Sequence, residues 1–172
     1  MLNNNLNFKI YNSPLGEILL CADNNNALCG LYFNDCLGQD KIIINNKNLK
    51  IFDKAVKWLD VYFAGREPDF TPELKLNGTE FQVQVWKILL NIKYGETVSY
   101  GDIAEITATK RGIKKMAAQA VGQAVGRNNI SIIIPCHRVI GRDKSLVGYG
   151  LKSRRLDRKA KLLELEGAEF KR

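Results

Sequence analysis

The sequence predicts an α+β fold, in which a small antiparallel sheet with one helix is followed by a mostly helical segment. Short apolar runs separated by turn residues fill the first part of the chain, whereas helix-capping signals and helical apolar spacing recur from Thr79 onward. A chain of 172 residues can bury a real core, in one large or two small domains. We expect a supporting domain and linker in residues 1–78 and a second domain in residues 79–172.

The N-terminal domain is expected to hold the sheet and one helix. Apolar residues recur with helical spacing from about Asn48 to Ala64, and Gly65 ends that helix. The stretch from Pro68 to Gly78 is interpreted as a linker. No set of residues in this half indicates chemistry. Three strands are predicted from the apolar runs and the turn signals between them, over residues 6–12, 16–22 and 27–33.

Two capping signals open helices in the second domain. Thr79 can cap free N–H groups, and Gln82 completes a capping box three residues later. Ser99 and Asp102 form a similar pair, for a helix that extends to about Ile106. The apolar face of the first helix is assigned to the core, including its aromatic pair: Phe81, Val85, Trp86 and Leu89.

A third helix, from about Lys114 to Gly126, is rich in alanine and glycine. Two short helices joined by a turn are typical of a helix-turn-helix. Small residues let a helix approach a phosphate backbone closely, but they also let it pack tightly inside a core. The cations of the turn favour DNA: Lys110, Arg111, Lys114 and Lys115.

Charge is distributed unevenly along the chain. Residues 1–78 carry 8 Lys/Arg and 9 Asp/Glu, a net of −1, whereas residues 79–172 carry 18 and 9, a net of +9. A basic half beside a neutral half indicates that one domain meets a polyanion, with nucleic acid as the leading candidate. A merely soluble basic surface is the alternative.

The C-terminal part is expected to contain a hairpin turn and a last helix. Residues 141–145 have the pattern of the turn, with a return through residues 147–149. Ser153 can cap the helix, and Gly167 is its expected stop. One apolar stripe follows this helix: Leu156, Ala160 and Leu163.

Residues 132–140, Ile-Ile-Ile-Pro-Cys-His-Arg-Val-Ile, contain the single histidine of the chain. We predict a buried strand that breaks at Pro135 and presents the thiol of Cys136. Neighbouring side chains of a regular strand point to opposite faces, so Cys136 and His137 share a pocket only if the backbone turns or a water bridges them. The alternative is that Cys136 is one more buried small hydrophobe.

The other cysteines, at positions 21, 29 and 36, are expected to be thiols in a reducing compartment. They lack the close spacing of a zinc site, and His137 is the only imidazole available, so we predict no metal. No signal peptide and no membrane-length apolar run is seen. We therefore expect a cytoplasmic protein.

Pro135 to Val139, reading Pro-Cys-His-Arg-Val, resembles the active-site signature of the O6-alkylguanine-DNA alkyltransferases. Residues 95–100 (Gly-Glu-Thr-Val-Ser-Tyr), the run from Ala120 to Asn128, and the Leu-Glu-Leu-Glu-Gly ending at Gly167 resemble the same family. The resemblance covers about residues 79–167.

The resemblance implies a role for each matching residue. Cys136 would attack the alkyl carbon, and His137 would take the thiol proton through a water. Glu166 would orient and charge-stabilise the imidazole, repeating the nucleophile–base–orienter logic of catalytic triads. Tyr100 would assist departure of the guanine through its phenol. On sequence alone, Glu166 could equally be an exposed acid at a helix end.

The resemblance also implies DNA and base contacts. Gln119 stands where many members place an arginine that fills the vacated stack, and Asn128 would brace the turn before the active site. The Val139 carbonyl, with that of Cys136, would accept the exocyclic amine of the base. Tyr149 and Gly150 would belong to the lid over the base. In the family, the recognition helix enters the minor groove.

The implied function is DNA repair by direct reversal, an irreversible single-turnover transfer of an alkyl group from O6 of guanine to Cys136. O4 of thymine remains an open second substrate. A monomer acting on double-stranded DNA, with no cofactor and no membrane, is expected. A non-enzymatic lesion sensor and a cysteine hydrolase using Cys136 and His137 are the alternatives, and the hydrolase leaves the basic bias unexplained.

Overall fold

The structure is a computed structural model that describes residues 6–33, 49–147 and 153–172. Its described residues form two compact units. One unit contains the residues up to Asn77 together with Asn129–Ser131, and the other contains Gly78–Asn128 and the residues from Ile132 onward. The predicted α+β class is confirmed, with a sheet-containing first unit and a mostly helical second one.

The first unit is built on an antiparallel sheet of strands β1 (Leu6–Ser13), β2 (Gly16–Asp23) and β3 (Leu28–Phe33), in that order. The predicted strands are confirmed to within one residue. Ser13 pairs with Gly16 across a tight turn, where Gly16 takes a positive φ of 112° that disfavours other residues. The central strand β2 and the edge strand β3 are almost wholly buried, which follows from their nearly continuous apolar sequences.

Helix α1 (Lys50–Phe63) is amphipathic, as its spacing predicts. The chain leaves it through Ala64 and Gly65, the latter at φ 73°. The predicted linker is not free throughout: Leu28 of β3 donates to the carbonyl of Glu73 and accepts from the N–H of Lys75, each at 2.8 Å. The buried face of α1 consists of Ile51, Phe52, Ala55, Trp58, Leu59 and Tyr62.

The second unit begins with helix α2 (Glu80–Leu89), which Thr79 and Gln82 cap reciprocally, as predicted. The core assignment of its aromatic pair is half right. Trp86 is buried and donates from Nε1 to the Ala124 carbonyl at 2.8 Å, whereas Phe81 is only half-buried. The Arg111 guanidinium lies 5.8 Å from the centre of the Phe81 ring.

Helix α3 (Tyr100–Arg111) starts at the predicted Ser99–Asp102 capping box but runs past Ile106. It continues because Thr107 and Ala108 extend its buried face, and it ends where Gly112 adopts the left-handed conformation.

Helix α4 (Ala118–Gly126) starts four residues later than predicted, because Ala117 is extended and residues 113–117 form the connection. The two helices and this connection form the predicted helix-turn-helix. Lys110 and Arg111 belong to the last turn of α3, so only Lys114 and Lys115 of the four predicted cations lie in the turn itself.

The predicted buried strand before Cys136 is wrong in conformation, although Ile130, Ile132 and Ile134 are buried as expected. The chain turns at Ile132, which has a φ of 69°, a strained value for a β-branched residue. The side-chain amide of Asn128 then donates to the Ile134 carbonyl at 2.9 Å. A short apolar run cannot by itself distinguish a strand from a buried turn.

Short parallel strands β4 (Val98–Ser99) and β5 (Val139–Ile140) join the start of α3 to the segment after Cys136. The predicted hairpin turn forms, with the Gly141 N–H bonded to the Ser145 carbonyl at 2.9 Å. Its return through residues 147–149 falls largely outside the described residues. Instead, Leu146 donates to the carbonyl of Lys171.

Helix α5 (Ser153–Leu165) is the last helix of the second unit. It is terminated at Gly167, which has a φ of 68°. Ala168 donates back to Leu163 and Gly167 to Glu164, the hydrogen bonds of a Schellman motif, which makes Glu166 the C-cap residue. The predicted stop is confirmed. Within the described chain, no helix has the length and apolar character needed to span a membrane.

Candidate active site around Cys136

Cys136 opens a single 3-10 turn, Cys136–Arg138, that leads into β5. The Cys136 N–H bonds to the Ile134 carbonyl at 2.7 Å, and the Arg138 N–H bonds to the Pro135 carbonyl at 3.0 Å. The backbone therefore turns at Cys136, which was the condition for the thiol and the next imidazole to serve one site. Cys136 is 4% exposed and His137 is fully buried.

The carboxylate of Glu166 is the centre of a buried cluster. His137 Nε2 lies 2.6 Å from its Oε1, and Arg138 donates to both oxygens, from Nε at 2.8 Å and from Nη2 at 3.1 Å. The backbone N–H of Gly95 adds a fourth contact at 3.2 Å. Because the carboxylate is completely buried, it is not the exposed helix-end acid that sequence alone allowed.

The protonation states in this cluster follow from burial and from neighbouring charges. Burial tends to raise the pKa of Glu166, but hydrogen bonds and charge from His137 and Arg138 outweigh it and lower the pKa to about 2. Burial lowers the pKa of His137, and the nearby cations of Arg138 and Lys159 add to this effect against the opposing pull of Glu166. The carboxylate is therefore ionised and the imidazole neutral at pH 7.

A neutral imidazole has one N–H donor and one acceptor nitrogen. Because Nε2 faces the carboxylate of Glu166, it carries the hydrogen, and Nδ1 is the acceptor. The tautomer is thus fixed in the form that a general base for a neighbouring thiol needs.

The guanidinium of Arg138 has further contacts besides Glu166. Its Nη1 donates to the Ile92 carbonyl at 2.5 Å, and its guanidinium lies 5.7 Å from the centre of the Tyr94 ring. Tyr94 in turn donates its hydroxyl to the Leu165 carbonyl at 3.3 Å, one residue before Glu166. The loop of residues 92–95 therefore holds both members of the ion pair.

Lys159 of α5 is a second buried cation near the thiol. Its Nζ donates to the carbonyls of Val139 at 2.5 Å and Val147 at 2.8 Å, and it lies 5.8 Å from the centre of the Tyr100 ring. Burial lowers the pKa of Lys159 to about 8, and the negative charge of a Cys136 thiolate opposes that change. A cation in this position favours the thiolate.

Tyr100, the first residue of α3, donates its hydroxyl to the Val147 carbonyl at 3.3 Å. Burial raises the pKa of Tyr100, and the charge of Cys136 raises it further. The phenol is therefore protonated at neutral pH and can act as a hydrogen-bond donor. A sulfur nucleophile, an oriented imidazole and a phenolic donor together suit displacement at an electrophilic carbon.

Sequence comparison assigns both halves of the chain. Residues 6–76 match the ribonuclease-like domain of 6-O-methylguanine DNA methyltransferase, and residues 80–168 match the DNA-binding domain of the same family. The chain belongs to the 6-O-methylguanine DNA methyltransferase family. The resemblance seen in the Pro-Cys-His-Arg-Val motif is thereby confirmed.

Individual relatives agree over nearly the whole chain. The methylated-DNA–protein-cysteine methyltransferase of Mycobacterium leprae is 46% identical, over 90% of this chain and 88% of its own length. The protein of that name from Methanosarcina acetivorans is 42% identical, over 94% and 98%. The crystal structure of Mycobacterium tuberculosis OGT in complex with DNA has a TM-score of 0.78 and 42% identity, covering 94% of this chain and 92% of that one.

The remaining residues that the methyltransferase resemblance singled out are placed as follows. The amide of Asn128 bonds the Ile134 carbonyl, as a brace for the turn before Cys136 requires. The Val139 carbonyl accepts a hydrogen bond from Lys159. Gln119 is exposed in the first turn of α4. Tyr149 and Gly150 lie outside the described residues.

Helix α4 has one face buried in the second unit and the opposite face exposed. Val121, Ala124 and Val125 are buried, whereas its opposite face is exposed and includes Gln119 and Gln123. A groove runs between α3 and the connection that precedes α4, and its lining includes Lys114, Lys115 and Arg142. Cations along a concave surface are suited to phosphates.

Three residues of this site were missed by sequence reasoning: Gly95, Arg138 and Lys159. Arg138 directly follows the Cys-His pair, and this position in the motif could have indicated that it belongs to the site. Lys159 lies three residues after Leu156 and four before Leu163, so it is a cation on the predicted apolar stripe. Gly95 has a φ of 77°, and a Cβ there would lie 3.0 Å from the Glu166 carbonyl oxygen.

A metal site remains without support in the described residues. No group of three or more His, Cys, Asp or Glu side chains is placed there to hold a metal ion.

Proposed function

We propose that this protein repairs double-stranded DNA by transferring an alkyl group from O6 of guanine to the sulfur of Cys136. The observation that carries the proposal is the buried Glu166–His137 pair, which fixes the imidazole as a neutral base directly after the cysteine. Membership in the 6-O-methylguanine DNA methyltransferase family and the structural likeness to M. tuberculosis OGT bound to DNA support the substrate and the partner.

The proposed step is a single displacement. His137 takes the proton of Cys136 at Nδ1, through a water, while the ionised carboxylate of Glu166 stabilises the charged imidazole from within the buried cluster. The thiolate attacks the alkyl carbon, the carbon–O6 bond breaks, and its electron pair remains on the guanine. The Tyr100 phenol donates to the departing base. The product is a thioether, so each molecule acts once and without a cofactor.

The proposed DNA contacts are made by residues of the second unit. The exposed small-residue face of α4 lies against the duplex, and Lys114 and Lys115 meet phosphates. The alkylated base leaves the stack to reach Cys136, because the reacting carbon is inaccessible within a duplex. Gln119 fills the vacated space, and the Val139 carbonyl accepts the exocyclic amine. Tyr149 and Gly150 complete the lid.

We place this reaction in the cytoplasm, because transfer needs Cys136 reduced and reducing compartments keep thiols so. We also propose that residues 79–172 bind the DNA and carry out the transfer, whereas residues 1–78 form a supporting domain. The protein acts as a monomer.

The decisive experiment is a transfer assay on the intact protein. A duplex carrying O6-methylguanine is incubated with an equimolar amount of protein. The mass of the tryptic peptide of residues 128–138 is then measured by mass spectrometry. We expect one added methyl group on Cys136, with none from an unmodified duplex and none in Cys136→Ala. An unmethylated peptide after prolonged incubation would refute transfer, and tight lesion binding without transfer would point to a sensor.

A further inference from the structure

A pair of buried thiols lies in the first unit, outside the site around Cys136. The Sγ atoms of Cys21 on β2 and Cys29 on β3 are 3.3 Å apart, and both residues are 5% exposed. Nothing in the transfer of an alkyl group to Cys136 uses them.

An irregularity in the sheet brings the two sulfurs together. Cys21 pairs with Gly30, but the next residue of β2, Ala22, pairs with Leu28, so Cys29 is an extra residue on β3. In regular pairing Cys29 would point to the face opposite Cys21, because neighbours on a strand alternate. A bulge abolishes that alternation locally and re-aims the side chain.

Gly30 leaves the space that this arrangement needs. A Cβ at this position would lie 3.0 Å from the Cβ of Cys21 and 2.4 Å from the Tyr32 ring. The bulge and the glycine therefore hold the two thiols in contact within a buried part of the sheet.

We propose that Cys21 and Cys29 form an oxidation site, at which a small peroxide converts the two thiols into an intramolecular disulfide. The sulfurs of a disulfide are about 2.05 Å apart, so the two Sγ atoms must approach by about 1.2 Å, a movement small enough for side-chain rotation. Disulfides of this kind in a reducing compartment are transient and respond to oxidants.

The two sulfurs differ in reactivity. The hydrogen bond from Cys21 lowers the pKa of Cys29, against burial and the charge of Asp23, and the Lys75 ammonium adds to the lowering. The same hydrogen bond and burial raise the pKa of Cys21. These directions favour Cys29 as the attacking thiolate, with Cys21 as the resolving thiol.

The chemistry balances with hydrogen peroxide as the oxidant. The Cys29 thiolate attacks one peroxide oxygen, the O–O bond breaks, and hydroxide leaves, giving a sulfenic acid on Cys29. The Cys21 sulfur then attacks the Cys29 sulfur, forms the S–S bond and releases the sulfenic oxygen as water with the Cys21 proton. Two thiols are oxidised, and one peroxide is reduced to two waters.

The test uses the full chain carrying Cys36→Ser, because Cys36 shares a tryptic peptide with the pair and lies outside the described residues. The folded protein is treated with hydrogen peroxide, denatured, blocked with N-ethylmaleimide and digested with trypsin. We expect the peptide of residues 10–41 to lose two hydrogen atoms and to resist blocking. Dithiothreitol, added before blocking, should restore both reactive thiols.

The matched controls are Cys21→Ser and Cys29→Ser in the same background, in which the loss of two hydrogens should disappear. Two outcomes would overturn the proposal. In one, both thiols remain open to blocking while Cys136, in the peptide of residues 128–138, is oxidised. In the other, the disulfide forms only when the protein is denatured before peroxide is added. The fate of methyl transfer to Cys136 does not enter this test.

Discussion

Replacing Glu166 by glutamine tests the buried cluster, because it keeps the shape of the side chain and removes its charge. In the wild-type protein this carboxylate meets His137, Arg138 and the Gly95 N–H while fully buried. In Glu166→Gln, the Arg138 cation stays buried without its counterion, which typically costs about 3–5 kcal/mol. The amide also presents N–H groups where donors already converge.

A second estimate of the magnitude comes from the protonation equilibrium of the carboxyl group. Lowering the pKa of Glu166 from 4.5 to about 2 corresponds to about 3 kcal/mol of stabilisation at neutral pH. Because the pKa is lower in the folded state, this stabilisation is present above the unfolded-state pKa of 4.5 and is lost as the pH falls toward 2. The deficit of Glu166→Gln should therefore shrink below about pH 4.

The assay combines urea unfolding, followed by circular dichroism, with the rate of methyl transfer. The control is the double variant Arg138→Met with Glu166→Gln, which removes both charges. It should recover most of the lost free energy of unfolding, since an apolar replacement of a buried ion pair is often neutral. Transfer should stay slow in both variants, because His137 has lost the group that orients it.

Two results would refute this reasoning. If the double variant is as unstable as Glu166→Gln, an unpaired Arg138 charge is not the source of the cost. If Glu166→Gln transfers methyl at the wild-type rate, the carboxylate does not orient the base.

Three further predictions concern pH, the second cation and the DNA contact. The free energy of unfolding, measured by urea titration, should fall as the pH drops from 7.5 to 5.5. The pKa of His137 is lowered in the folded protein, so below about pH 6.5 the imidazole binds a proton in the unfolded chain but not in the folded one. Lys159→Met should slow transfer about tenfold at neutral pH, with recovery at higher pH, because a cation favouring the thiolate is lost; single-turnover rates measure this. Gln119→Arg should tighten duplex binding and steepen its dependence on salt by about one unit of log–log slope, as fluorescence anisotropy will show.

Each of these predictions has its own control. His137→Gln should flatten the pH dependence, since the chain has no other histidine, and an unchanged slope would contradict the assignment. For Lys159→Met, a rate deficit that persists unchanged at high pH would mean that the lysine acts only by holding the carbonyls of Val139 and Val147. Gln119→Lys adds the same charge without the planar guanidinium, and an unaltered salt slope in both variants would remove this position from the DNA interface.

The sequence by itself determined the elements whose causes are local. Capping boxes at Thr79 and Ser99, the stop at Gly167 and the turns between the first strands each depend on residues a few positions apart. The motif around Cys136 is also local, and its resemblance to the family signature singled out the proposed nucleophile. The wrong predictions lie where local signals are weak. The sequence places the start of α4 near Lys114, whereas the helix begins at Ala118, and no side chain caps it. At Ile132, a buried turn resembles a strand in its sequence.

Only the tertiary structure decided which side chains meet. Glu166 contacts Arg138 and His137 across nearly thirty residues of chain, and a single bulge sets Cys29 against Cys21. Such contacts depend on the path of the backbone between them, and one extra residue in a strand reverses the face to which a side chain points. Burial then sets the charge states, because desolvation and neighbouring ions act on the pKa values only after the chain has closed around them.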